Sequence, residues 1–150
     1  DGARIGIALY GVNPVPGDKT PLLPVMTFRA AVIAINTVKK GDFIGYSRGY
    51  RAKKDMRVAI ISTGYADGLP RALSNKGMIF CNGQFLKIVG KVSMDSVAVD
   101  AGDADVKIMD EVVVFGDEIT VTDVANRADT LPYEILTGVS ERVKRVYKNP

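Results

Sequence analysis

The sequence predicts a mainly β domain, a barrel or a sandwich of short strands with one or two short helices. Short apolar runs rich in β-branched side chains recur along the chain, and glycine, proline, asparagine or aspartate bounds them. Many short strands at such close spacing are typical of barrels and sandwiches. With 150 residues and 47% apolar composition, the chain is long enough for one domain with its own core.

The first predicted strand covers residues 25–38, which are rich in β-branched and small apolar side chains. The segment 39–42, Lys-Lys-Gly-Asp, ends it as a turn. Residues 57–62 are a short apolar run between Asp55 and Gly64, which favours a strand buried on both faces.

A hairpin is predicted where residues 78–81 and 84–89 flank Asn82-Gly83, because Asn-Gly suits a type I′ turn. Residues 92–99 alternate between apolar and polar side chains, and residues 111–115 form a further apolar run. Both segments are predicted as strands.

Two short helices are predicted near the carboxy end. Residues 122–127 form the first, with Thr120 or Thr122 as its N-cap, and residues 132–137 form the second. Residues 142–147 are predicted as a final strand.

The chain contains no histidine and a single cysteine, Cys81. These counts exclude zinc sites built on histidine, Ser-His-Asp triads, an internal disulfide and a cysteine-based structural zinc site. One cysteine also fits a reducing compartment such as the cytoplasm. Any proton transfer by this chain must use tyrosine, lysine, a carboxylate or Cys81, which makes Tyr46 a candidate base.

Charge and hydropathy indicate a soluble domain. The net charge is +3 with both signs well mixed, which is too mild to imply nucleic acid. No apolar run approaches the roughly 20 residues of a membrane span, and no secretory leader precedes the first motif. The chain begins at Asp1 without an initiator methionine, as expected if a longer protein had been cut upstream.

Four motifs place a functional group beside glycine: RIGIALYG at 4–11, GYSRGY at 45–50, GYADGLPR at 64–71 and GKVSMDSVAVD at 90–100. Arg4 is a permanent cation with a planar fork of donors, and Gly6 lets backbone amides approach a phosphate closely. An ordinary tyrosine releases its proton near pH 10, so Tyr46 needs nearby cations to act as a base. Each motif alone is equally compatible with an ordinary strand or turn.

Together and in this order, the motifs resemble the carboxy-terminal domain of alanine racemase, a fold-type III enzyme that uses pyridoxal phosphate. The resemblance covers nearly the whole chain. It implies a β-barrel domain over residues 1–150. It also implies that an amino-terminal pyridoxal-phosphate-binding (β/α)8 barrel, with the lysine that holds the cofactor, is absent from this chain. The isolated chain is therefore expected to be inactive and the full-length protein to be an isomerase.

The resemblance assigns four residues to the cofactor. Arg4 donates a hydrogen bond to the pyridine nitrogen, and the backbone amides of Gly6 and Ile7 hold the phosphate. Tyr133, in the stretch Thr-Leu-Pro-Tyr-Glu at 130–134, donates its hydroxyl to the same phosphate. An arginine that cannot release its proton leaves the ring nitrogen unprotonated, which weakens the electron sink and discourages side reactions.

The resemblance assigns the remaining residues to the substrate. Tyr46 is one of two bases on opposite faces of the α-carbon, and it reaches into the partner subunit's site in a homodimer. The backbone amide of Met94 binds the substrate carboxylate. Lys91 stands where the family more often has arginine, so the charge is retained but the bidentate fork is lost. The corridor into the site is lined by Tyr65, Arg71, Lys91 and Asp95.

Alanine is the substrate that the family implies, with D-alanine for cell-wall peptidoglycan as the product and the cytoplasm as the location. A serine racemase or a racemase of broad specificity is an alternative, as is a non-catalytic β-barrel dimerisation module. A third interpretation is nucleic-acid binding by a basic cluster near two tyrosines. That cluster comprises Arg48, Arg51, Lys53 and Lys54, beside Tyr46 and Tyr50.

Overall fold

A computed structural model describes residues 2–15, 17–18 and 20–148 of the chain. Among these residues, strands and two α-helices form a mainly β domain, which confirms the predicted fold class. The strands are β1 Phe28–Val38, β2 Phe43–Ile44, β3 Tyr50–Arg51, β4 Met56–Ile61, β5 Met78–Cys81, β6 Gln84–Lys87, β7 Val97–Asp100 and β8 Glu111–Phe115. The helices are α1 Val121–Ala128 and α2 Pro132–Gly138.

Six of the strands form one antiparallel sheet in the order β6-β5-β8-β1-β4-β7, while β2 and β3 form a separate small ribbon. The two ends of the large sheet meet through a bridge between Ile88 and Val99, directly after β6 and within β7. The Val89 amide extends this contact by donating to the Ala98 carbonyl at 2.9 Å. The sheet therefore curls back on itself, as in the barrel that the sequence predicts.

The inner face of the sheet and helix α1 share one apolar core. Val32, Ile61 and Ile79 from three strands are fully buried there. Each buried side chain of this size stabilises the fold by roughly 1.5–3 kcal/mol relative to an exposed one. Helix α1 buries Val124 and Ala125 in the same cluster.

The predicted helices are confirmed, and their ends have clear causes. Thr120 is the N-cap of α1: its hydroxyl accepts from the Asp123 amide, and the Asp123 carboxylate accepts from the Thr120 amide. This capping box satisfies two backbone donors at the helix start. Helix α2 begins at Pro132, whose fixed φ suits the first turn. The predicted hairpin is also confirmed, with φ of 46° at Asn82 and 81° at Gly83.

One predicted strand, at 92–99, is confirmed only over 97–99, and another, at 142–147, is wrong. Residues 92–96 form a loop, and β7 begins only at Val97, because the carbonyls of Ser93 and Met94 accept from the amides of Tyr65 and Ala66. Residues 142–147 form no strand. The segment pairs with no described strand, and the Arg145 guanidinium holds it through the carbonyls of Val139, Ser140 and Val143.

The first motif forms a 3-10 turn, Gly6–Tyr10, that Gly11 ends with φ of 80°. Within the described ranges, no helix has both the length and the hydropathy needed to cross a membrane.

Candidate functional site

Three of the four glycine motifs meet in the structure as neighbouring loops. We call them the tyrosine loop (residues 45–49), the Gly64 loop (residues 64–71) and the Met94 loop (residues 90–95). A β-carbon added to Gly49 would lie 3.1 Å from the Lys91 amide nitrogen, and one added to Gly45 would lie 3.2 Å from it. Glycine at these positions is what lets the tyrosine loop approach the Met94 loop so closely.

The Gly64 loop packs even more tightly against the Met94 loop. The Tyr65 amide donates to Ser93 O at 2.9 Å, and the Ala66 amide donates to Met94 O at 3.0 Å. Both hydrogen bonds fix carbonyls of the Met94 loop. In the described part of the chain the Met94 amide has no such acceptor, so it is available to an anionic ligand.

Arg142 ties these two loops together by charge. Its Nε lies 2.8 Å from Asp67 Oδ1, and its Nη2 lies 2.5 Å from Asp95 Oδ1. The other oxygen of Asp67 accepts from the Gly64 amide at 2.8 Å. The hydrogen bond that Arg142 donates to Asp95, together with the negative charges of Asp67 and Asp95, raises the pKa of Arg142 above its ordinary value. Sequence reasoning missed Arg142 because it lies in a segment predicted as a strand, where an arginine carries no signal of its own.

Tyr46 is held on a strained backbone. It opens a short 3-10 turn, Tyr46–Arg48, in which Ser47 and Arg48 both have left-handed φ values, 53° and 54°. A left-handed residue other than glycine costs roughly 1–2 kcal/mol, and such strain is often found at functional sites. The Tyr46 side chain is 72% exposed, so its hydroxyl is open to a ligand or a partner.

The cations beside Tyr46 are stacked on an aromatic ring. The guanidinium carbons of Arg48 and Arg51 lie 5.0 and 5.8 Å from the centre of the Phe43 ring. Tyr50 packs against a small buried cluster. In the described part of the chain, the two arginines of the predicted basic cluster stack on Phe43 and not on Tyr46 or Tyr50.

The predicted corridor residues belong to the same loops. Arg71 lies 5.8 Å from the centre of the Tyr65 ring, within cation–π range. Lys91 runs along Gly49, where an added β-carbon would lie 2.9 Å from the lysine Cγ. Asp95 is paired with Arg142 as described above. Tyr46, Met94 and the corridor residues are therefore gathered on adjoining loops.

The residues that the resemblance assigns to the cofactor lie on the first 3-10 turn, just before it, and on helix α2. Gly6 opens its 3-10 turn with φ of 63°, and a β-carbon there would meet no atom within 4 Å. The first amides of such a turn have no acceptor inside the turn. Tyr133 is exposed on the first turn of α2, and Leu136 from that helix lines a cavity of about 330 Å³ with Tyr10 and neighbouring residues of the turn.

These residues lie on other segments of the chain than Tyr46 and Met94. Arg4 lies just before the turn and is exposed, while the Ile7 side chain is buried beneath it. Among residues 2–15, 17–18 and 20–148, no hydrogen bond or ion pair joins the residues assigned to the cofactor to the tyrosine loop or the Met94 loop. The segment after α2 does contact the Gly64 loop, since the Ser140 amide donates to the Asp67 carbonyl at 3.2 Å.

Comparison with known proteins identifies relatives of this chain. The family model for the carboxy-terminal domain of alanine racemase matches residues 25–147. A catabolic alanine racemase of Rhizobium johnstonii is 43% identical over 97% of this chain, and an alanine racemase of Shewanella denitrificans is 40% identical over 95%. In both comparisons the chain spans only 40% of the relative's length.

Solved structures agree. The crystal structure of alanine racemase from Bartonella henselae, with covalently bound pyridoxal phosphate, is similar over 95% of this chain and 40% of its own, with a TM-score of 0.91 and 42% identity. Alanine racemase from D-cycloserine-producing Streptomyces lavendulae is similar over 97% of this chain and 40% of its own, with a TM-score of 0.91 and 37% identity. With its fold and the order of its motifs, this chain belongs to the alanine racemase carboxy-terminal domain family.

Proposed function

We propose that the complete protein containing this chain interconverts L-alanine and D-alanine with pyridoxal phosphate as cofactor. In this proposal an amino-terminal (β/α)8 barrel holds the cofactor through a lysine, and residues 1–150 supply one base and part of the binding site. The observation that carries the proposal is the exposed Tyr46, held on a strained turn against the Met94 loop. The 150-residue chain alone is expected to show no racemase activity.

The donors near the first motif fit pyridoxal phosphate. The open space over Gly6 leaves room for a phosphate, to which the Gly6 and Ile7 amides and the Tyr133 hydroxyl would donate. Arg4 would donate to the pyridine nitrogen without giving up its proton. When bound, the cofactor withdraws electrons from the substrate α-carbon and makes its proton acidic.

Tyr46 would move the proton on one face of the α-carbon. Its phenolate oxygen accepts that proton when one enantiomer reacts, and its hydroxyl donates a proton to the α-carbon when the other reacts, while a lysine of the barrel serves the opposite face. In the described part of the chain no side chain hydrogen-bonds to this hydroxyl, and Arg48 is stacked on Phe43. The cation that stabilises the phenolate is therefore expected from the barrel or from a second subunit.

The Met94 loop would orient the substrate. The Met94 amide donates to the alanine carboxylate, while the carbonyls of Ser93 and Met94 remain bound to the Gly64 loop. Arg71 and Lys91 place positive charge along the corridor, with Tyr65 narrowing it, so amino-acid carboxylates are drawn inward.

The proposal includes a homodimer with shared active sites, as the family resemblance implies. Arg4, Gly6, Ile7 and Tyr133 would serve the cofactor of their own subunit, and Tyr46 with Met94 would serve that of the partner. We also propose that the complete protein acts in the cytoplasm and supplies D-alanine for peptidoglycan.

The proposal is tested by kinetics of the complete protein carrying Tyr46→Phe, which removes the hydroxyl and keeps the ring. Loss of a general base predicts a fall in kcat of about 10² to 10⁴-fold in both directions. Tyr147→Phe is the matched control, since Tyr147 is another exposed tyrosine that is not part of the proposed site. Equal activity of the two variants would contradict the role of Tyr46, and no turnover of alanine by the wild type would contradict the activity.

A further inference from the structure

Asn75 joins the tyrosine loop to the Met94 loop through its side-chain amide. Its Nδ2 donates to the Gly49 carbonyl at 3.0 Å, and its Oδ1 accepts from the Gly90 amide at 2.7 Å. Gly49 ends the turn that carries Tyr46, and Gly90 opens the Met94 loop. One planar group thus connects the backbones of both loops.

The backbone of Asn75 is also specialised for this place. Its φ is 60°, in the left-handed region that asparagine tolerates better than most residues. The preceding residue adds a third bond, since the Ser74 hydroxyl accepts from the Val92 amide at 3.0 Å. The short 3-10 turn Arg71–Leu73 presents both residues to the Met94 loop.

We infer that Asn75 is a positioning residue that sets the distance between Tyr46 and the Met94 amide. The inference rests on the proposed function, because those two groups are the proposed base and the proposed carboxylate donor. One contact needs a donor and the other an acceptor, and the two separate ends of one side-chain amide supply both at once. Neither serine nor aspartate can replace it with the same geometry.

The test uses the complete protein with two substitutions and a matched control. Asn75→Gly removes the side chain and keeps the left-handed backbone at no steric cost. Asn75→Asp is isosteric and keeps the acceptor for the Gly90 amide, but it loses the donor to Gly49. Asn82→Gly is the control: Asn82 lies in the β5–β6 turn and is also left-handed, with φ of 46°, and its side-chain amide donates to the Asp105 carbonyl and the Asp110 carboxylate.

Asn75→Gly is expected to lower kcat/KM for alanine about ten-fold, since misplacing a reacting group by a fraction of an ångström has effects of this size. Asn75→Asp, which releases only the tyrosine loop, is expected to lower kcat while KM stays close to that of the wild type. Asn82→Gly should stay within about two-fold of the wild type, as expected of a surface change away from the site. Equal losses in Asn75→Gly and Asn82→Gly would overturn the inference.

A double-mutant cycle separates positioning from a general structural effect. If Asn75 acts through Tyr46, Asn75→Asp causes no further loss in the residual turnover of Tyr46→Phe. A loss of the same size in both backgrounds would overturn the inference.

Hydrogen exchange of the Gly90 amide provides a readout that needs no activity. Exchange should become faster in Asn75→Gly and stay unchanged in Asn82→Gly. Unchanged exchange of the Gly90 amide in Asn75→Gly would show that Asn75 does not hold the two loops together. Should the wild-type protein not racemise alanine, the proposed function fails, and this measurement still decides whether Asn75 holds the two loops together.

Discussion

Gly64→Ala is the substitution for which the structure predicts the largest effect on the paired loops. A β-carbon at Gly64 would lie 2.3 Å from the carbonyl oxygens of both Ser93 and Met94. Ordinary contact begins at 3.4 Å, so the Gly64 and Met94 loops must separate by about 1 Å. The obstacle is backbone on both sides, which cannot rotate away as a flexible side chain would.

The magnitude follows from what that separation breaks. Overpacking of a tight site costs roughly 1–3 kcal/mol. The hydrogen bonds from the Tyr65 and Ala66 amides lengthen at the same time, and each contributes about 1 kcal/mol. We therefore expect the free energy of unfolding to fall by about 2–4 kcal/mol in total. A displacement of about 1 Å at the Met94 amide should also lower kcat/KM for alanine about a hundred-fold.

Urea unfolding and steady-state kinetics of the complete protein measure both effects. Gly138→Ala is the matched control, because its β-carbon would meet only the Gly68 carbonyl oxygen, at 4.0 Å. Alanine at this helix end is expected to be neutral or slightly stabilising. If Gly64→Ala and Gly138→Ala have the same stability and kinetics, the reasoning about the contact of the two loops is refuted.

Two further predictions concern charge and ionisation. Arg142→Ala should raise the KM for alanine and lower the melting temperature, because Asp67 and Asp95 lose their partner. Arg142→Lys should recover only part of both effects, because lysine lacks the bidentate fork. Equal KM and melting temperature for wild type and Arg142→Ala would contradict this prediction. Burial, with a smaller effect of the Asp110 charge, raises the pKa of Cys81 above the ordinary value of 9.0. The unfolded chain thus loses this proton first, and the free energy of unfolding should fall as pH rises above about 9. Urea titrations should show that the free energy of unfolding falls less between pH 8 and pH 10 in Cys81→Ala than in the wild type. An identical fall in both would contradict the raised pKa of Cys81.

Much of the fold can be predicted from residues that are close together in the sequence. Asn82-Gly83 predicted its hairpin because both residues accept left-handed φ, and the structure has both there. The sequence offers Thr120 and Thr122 as N-caps of α1 because a hydroxyl can cap a helix, and the structure has Thr120 in that position. The segments 92–96 and 142–147 could not be predicted in this way, because their backbones bind non-local partners or their own arginines instead of a neighbouring strand.

The site shows the same division. The glycine motifs brought out Tyr46 and Met94 in the sequence, and the structure explains the glycines at 45, 49 and 64 by close approach between loops. Asn75 and Arg142 had no such signal. Their importance depends on which loops they join across 15 to 75 residues of sequence, and this becomes visible only in three dimensions.

Exchange of the alanine α-proton with deuterated water, followed by proton NMR, tests the central claim most directly. In the complete protein the wild type should exchange this proton in both enantiomers while racemising them. Tyr46→Phe should lose racemisation and exchange with one enantiomer, yet keep exchange with the other, since the base on the opposite face remains. Equal exchange of both enantiomers by Tyr46→Phe would show that Tyr46 is not the base on one face.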